Sequence, residues 1–145
     1  MAQRTRGEAF RQLRTYISQD VQQILSLDRG GNYAAALLVA IASEALSRLQ
    51  GLEKKSVFRR LVMPYGLDEH MADDLFVAVR QELAHMYDTK LIKVGRRLFG
   101  IYVGWGGHAH MTILRDRDPN GLYLNVKTMW ADFKQLLDKM LIHTP

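Results

Sequence analysis

Apolar residues recur every three or four positions from Phe10 to Met86 and every second position from Leu91 onward, and this change of period near Lys90 restricts the chain more than any other feature. A helical period followed by a strand period predicts an α+β protein that is mainly α. Its expected parts are an antiparallel bundle of four helices, a small antiparallel β meander and a C-terminal helix. Phe10, Leu13, Ile17, Val21 and Ile24 place one stripe on a first helix from residue 8 to about 28, ended by Asp28-Arg29-Gly30-Gly31. Asn32 is the expected N-cap of a second helix, Tyr33 to Leu49, which is apolar on nearly every side and should be the most buried; Gly51 stops it. A short helix from about Ser56 to Met63 is closed by Pro64-Tyr65-Gly66. Asp68 then caps a longer helix whose Glu69, Asp73 and Asp74 complement its positive end. Ala72, Leu75, Phe76, Val79, Leu83 and Met86 carry that helix to about Tyr87.

The alternation in Leu91–Val94, in Phe99, Ile101, Val103 and Trp105, in Met111–Leu114 and in Leu122–Val126 reads as antiparallel strands. Gly95-Arg96-Arg97 and Asp118-Pro119-Asn120-Gly121 supply the turns, the second because Asn-Gly tolerates the positive φ of tight hairpins. Met129, Trp130, Phe133, Leu136, Leu137, Met140 and Leu141 mark a last helix that packs back on the bundle or the sheet. With no repeat and no linker, residues 1–145 read as one domain: a helical core at 8–88, a β insertion at 89–126 and a closing helix at 127–143.

At 145 residues such a domain buries about 68–70% of the surface of its unfolded chain. Cysteine is absent, which excludes disulfides, thiolate metal sites and a cysteine nucleophile and fits a cytoplasmic protein. The first 14 residues carry four arginines but no apolar run, and no stretch approaches the roughly 20 apolar residues of a membrane span, so neither a secretory signal nor a membrane partner is expected. The net charge of +5 is unevenly placed. Lys54, Lys55, Arg59 and Arg60 form one basic group; Lys90, Lys93, Arg96 and Arg97 form another. Each reads either as a phosphate-facing patch for nucleic acid or as solvated surface.

The residues with the most chemistry are Arg80-Gln81-Glu82-Leu83-Ala84-His85-Met86-Tyr87. Arg grips phosphate and stabilises the extra negative charge of its transition state, and His moves a proton near neutral pH. Together they suit cleavage of RNA by its own 2′-hydroxyl without metal or cofactor. On a straight α-helix, at about 100° per residue, Tyr87 projects within about 20° of Arg80 but His85 projects about 140° away. A frayed helix end, a bent Arg side chain or a twofold dimer would each bring Arg80 and His85 together.

The stretch Arg-x4-His-x-Tyr resembles the signature of the HEPN superfamily, and its place late in a long helix of an apolar, helix-rich half agrees with that resemblance over residues 8 to 88. Members are commonly helical homodimers in which motif residues of both chains line one cleft; many are metal-independent ribonucleases, often toxins or defence effectors, and others only bind. The resemblance implies catalytic roles for Arg80, His85 and Tyr87, a homodimer, and RNA or a nucleotide as ligand. It also implies a candidate partner, a nucleotidyltransferase antitoxin that modifies Tyr87. The position after the motif Arg is usually Asn or Asp in the family and is Gln81 here.

Glu44 interrupts an apolar face of the second helix and is read in two ways: as a carboxylate holding Arg80 or His85, or as an i, i+4 partner of Arg48. Asp88 and Glu82 are further candidates to tune His85. Gly104-Trp105-Gly106-Gly107-His108-Ala109-His110 pairs glycines with two His at chelating spacing, but it lacks a Walker lysine and further metal ligands, so it reads as a turn between strands and no metal site is expected. Three functions follow: a metal-independent endoribonuclease, a non-catalytic domain binding nucleotide, RNA or a partner protein, and a structural domain in which Arg80 pairs with Glu44. Burial of Arg80 and His85 with saturated hydrogen bonds would favour the last, whereas both facing a twofold cleft would favour either of the first two.

Overall fold

The computed structural model describes residues 3–27, 30–82, 92–94 and 97–142. Helix α1 (Arg6–Leu25) opens on a capping box, in which Glu8 N–H donates to Thr5 Oγ1 at 3.2 Å and Thr5 N–H donates to Glu8 Oε2 at 2.9 Å. Helix α2 (Asn32–Leu49) runs back beside it: Arg6, at the start of α1, donates to Gln50, just past the end of α2, at 3.2 Å. Asn32 is the first helical residue rather than the cap. Gly31 takes the cap position with φ of 80°, and a Cβ there would lie 2.5 Å from Ile24 Cγ2, so this position has no room for a side chain. Gly51 stops α2 as expected, with Gly51 N–H donating to Arg48 O and Leu52 N–H to Ser47 O in a Schellman arrangement.

Helix α3 (Ser56–Val62) is tied to α2 by a buried serine: Val57 N–H donates to Ser47 Oγ at 3.0 Å. A single 3-10 turn (Met63–Tyr65) and Gly66 lead to Asp68, whose carboxylate accepts from Met71 N–H at 2.8 Å and starts α4 (Glu69–Val77). The expected continuation of this helix is α-helical only to Val77; the next residues, Ala78–Glu82, form a π-helical turn.

Four strands follow: β1 (Ile92–Val94), β2 (Arg97–Gly104), β3 (Thr112–Leu114) and β4 (Gly121–Asn125). Their order in the sheet is β1-β2-β4-β3, with β2 and β4 parallel, so the antiparallel meander expected from the alternation is replaced by a mixed sheet. The cause is burial. Leu122, Tyr123 and Leu124 are buried in succession, which demands cover on both faces of β4 and an interior place, whereas the short, half-exposed β3 takes the edge. Asn120-Gly121 is not a tight positive-φ turn either: Gly121 is a strand residue, and a Cβ on it would lie 2.4 Å from the Tyr102 ring.

Helix α5 (Val126–Ile142) begins directly where β4 ends and packs on α1, α2, α3 and β4. Helix α2 is central, touching α1, α3, α5 and the π-helical turn. Phe10, Phe58, Phe76 and Phe133, one from each of α1, α3, α4 and α5, are fully buried around it, each contributing about 1.5–3 kcal/mol of apolar burial. Among the described residues no helix is long and apolar enough to cross a membrane.

Candidate functional site

The π-helical turn places Ala78 and Val79 in the core and leaves Arg80 at its margin, with 32% of its side chain exposed. Arg80 Nε donates to Glu44 Oε2 at 3.2 Å, and Arg48 Nη2 donates to Glu44 Oε1 at 3.3 Å. The two readings of Glu44 are therefore realised together: one carboxylate, 17% exposed, bridges a guanidinium from the facing helix and one from its own. Burial raises the Glu44 pKa, but hydrogen bonds and charge from Arg80 and Arg48 outweigh it, so the group titrates below the usual carboxylate range. Glu44 is thus held ionised beside Arg80.

Gln81 is exposed. His85, Tyr87, Asp88, Lys90 and Arg96 lie outside the described residues, as do the side chains of Glu82, Lys93 and Arg97. Arg80 itself lies on a π-helical turn, which is wider than an α-helix.

The first basic group is divided by its surroundings. Arg59 bonds Asp73 through Nε at 2.7 Å and Nη2 at 2.9 Å, and approaches Glu53 at 3.2 Å and Glu69 at 3.5 Å. Its bonds to Asp73 push the guanidinium pKa up and hold the Asp73 carboxyl below its usual range. Glu69 and Asp73 thus do more than complement the α4 dipole: they bind α4 to α3. Arg60, one residue on, is exposed and faces the other way.

The glycine-rich loop is a structured turn. Tyr123 Oη donates to Gly106 O at 2.7 Å and accepts from Gly106 N–H at 3.2 Å, and a Cβ at Gly104 would fall 2.5 Å from that hydroxyl. His110 Nδ1 accepts from Asn125 N–H at 3.0 Å, while the Asn125 amide donates to His108 O at 3.3 Å. Burial depresses the His110 pKa, against a smaller opposing pull from Asp132. The His110 ring also meets Tyr65 edge-on, and the Tyr65 hydroxyl donates to Asp132; burial first, then this bond, pushes the Tyr65 phenol up to about 12. Among the described residues no group of three or more His, Asp or Glu is placed to hold a metal ion. Trp105 packs against the core with Lys127 over its ring. Sequence reasoning passed over Tyr65, Asn125 and Asp132, whose partners are up to 67 residues away and carry no local signal.

No protein-family model, curated protein or solved structure matches this chain.

Proposed function

We propose that this protein is a metal-independent endoribonuclease of HEPN type that acts as a homodimer. The observation that supports this reading best is Arg80 itself: a partly exposed guanidinium on a π-helical turn, oriented by a carboxylate on the central helix. Such turns are frequent at functional sites, and an Arg has five N–H donors, of which the Glu44 contact uses one. In the proposed reaction the 2′-hydroxyl of RNA attacks the adjacent phosphorus and the 5′-oxygen leaves. His85 takes or gives the proton, Arg80 stabilises the phosphorane-like transition state, and Tyr87 positions the phosphate or accepts modification by a nucleotidyltransferase partner.

The dimer is assigned to the groove between α1 and α2, a cavity of about 760 Å³ whose wall includes exposed Tyr16 and Ile41. Arg4 and Arg48 lie at one end of it and Asp20 at the other, because α1 and α2 run antiparallel. A twofold axis through the middle, lying across the helices in the plane of the interface, sets each acidic end against a basic one. Arg48 also bonds Glu44, so such an interface borders the Arg80 cluster.

A second reading, a non-catalytic domain that binds RNA, nucleotide or a partner protein, is favoured by the same carboxylate, since Glu44 offsets the charge that Arg80 presents to a phosphate. The two readings separate in one experiment: cleavage of labelled RNA in excess EDTA by wild type, Arg80→Ala, His85→Ala and Asp20→Arg. The ribonuclease reading expects EDTA-resistant cleavage that falls by about 10²–10⁴ in the first two variants, and a monomeric, inactive third. Cleavage equal in all four sinks it, and RNA binding without cleavage by wild type selects the second reading.

A further inference from the structure

Two cavities adjoin between α3, the 3-10 turn and α5, one of about 290 Å³ and one of about 380 Å³, and both have Arg60, Leu136 and Lys139 in their walls. Beyond the shared wall the first is mixed, with the polar groups of Tyr65, Asp132 and Gln135 beside Leu61 and Pro64; the second adds Gln50 and the apolar side chains of Leu52 and Met140. Each lies at the small end of the range for ligand pockets, about 300–1,000 Å³.

Arg60 and Lys139 differ from the cations around them in what they meet. Arg59 is held by Glu53, Glu69 and Asp73, Arg14 is held by Asp138, and Asp132 takes the Tyr65 hydroxyl. The acids nearest in sequence and space are engaged elsewhere, and among the described residues no carboxylate pairs with Arg60 or Lys139. Two such cations on the wall shared by a mixed cavity and a mainly apolar one form a head-group site with an apolar extension. Asp132 fixes the polarity of that site. It stands two turns before Lys139 on α5, about 10 Å along the axis, and repels an anion from the Tyr65 end.

We propose that the double cavity binds a small anionic amphiphile, with a carboxylate or phosphate head between Arg60 and Lys139 and an apolar body over Leu136, Leu52 and Met140. The head gains charge-assisted hydrogen bonds from the two cations, and the body removes exposed leucine and methionine surface from water. This site is separate from Arg80 and does not depend on RNA chemistry there.

The test is calorimetric titration of the full chain with four probes: decanoate, octyl phosphate, neutral octyl glucoside and inorganic phosphate. Decanoate and octyl phosphate are expected to saturate one site and to bind about tenfold or more tighter than the other two. The double variant Arg60→Ala/Lys139→Ala should weaken both by about tenfold or more, and Leu52→Ser should weaken them but leave inorganic phosphate unchanged. Arg14→Ala, which removes a charge outside the cavities, should leave all four unchanged. Equal binding of octyl glucoside, equal binding of inorganic phosphate, or undiminished affinity in the double variant each overturns the proposal. Sedimentation with phosphatidylglycerol vesicles in the absence of binding to the soluble probes overturns it in favour of a membrane surface.

Discussion

Arg59 and Arg80 both meet carboxylates across a contact between helical segments, but they are held differently. Arg59 closes a knot between α3 and α4, with a two-pronged bond to Asp73 and two further acids, and is about a quarter exposed. Arg80 shares a single carboxylate with Arg48. The first arrangement has more acid than base and commits its arginine to cohesion. The second has more base than acid and leaves positive charge over at a partly exposed place. A guanidinium beside a carboxylate is not thereby structural; the balance of charge around it decides what it has left to offer.

Replacing Arg59 with alanine should have the largest effect on stability, because it strands Asp73, only 22% exposed, without its partner. A loss of about 2–3 kcal/mol in urea unfolding is expected. A loss below about 0.5 kcal/mol, the usual surface value, would erase the contrast. Arg80→Ala should cost less than about 1 kcal/mol, since Arg48 still neutralises Glu44, and the Arg80–Glu44 coupling in a double-mutant cycle should be smaller than the Arg59–Asp73 coupling. Equal couplings would make Arg80 a second structural knot.

The smallest effect concerns pH. His110 has a lowered pKa in the fold, so the unfolded chain binds its proton first: its contribution is present above about pH 6.5 and is lost as pH falls from there toward the folded value. Melting temperature measured from pH 7.5 to 5 should decline in this window, and His110→Gln should flatten the decline. Glu44 and Asp73, with lowered pKa values, act only further down, as pH falls below the ordinary carboxylate range. A slope unchanged in His110→Gln would remove the assignment to this imidazole.

Much of the helical layer was legible in the sequence. Phe10, Ile17 and Val21 are buried at the predicted spacing, Asp68 caps α4, and Gly51 ends α2, because these signals act within a few residues of the backbone they govern. The alternation in β2 likewise put Phe99 and Ile101 on one face, and both are buried. Strand order was not legible: the Leu122–Leu124 run shows that β4 is interior but not that β2 is its parallel neighbour. At the site, the sequence suggested both partners of Glu44 but not that they coexist, since that depends on where α2 and the π-helical turn meet. The π turn itself leaves no mark on the period of Ala72, Leu75, Phe76 and Val79. His85 and Tyr87 carry the motif and lie outside the described residues, so their part in the site rests on sequence.

The passage from β4 to α5 has a further consequence. There is no loop between them. Asn125 ends the strand, its Oδ1 accepts from Lys127 and Thr128 N–H to begin the helix, and its backbone N–H holds His110. Chain length at this joint therefore cannot vary. One inserted residue would turn α5 by about 100° and carry Phe133 and Leu137 off the core, whereas the connection from edge strand to interior strand, anchored by Arg117 over the Tyr102 ring and by Asn120 O accepting from Gly100 N–H, can lengthen at its exposed start, Arg115-Asp116, at little cost. Related chains, if they diverge in length, should do so on one side of β4 and hold strict register on the other.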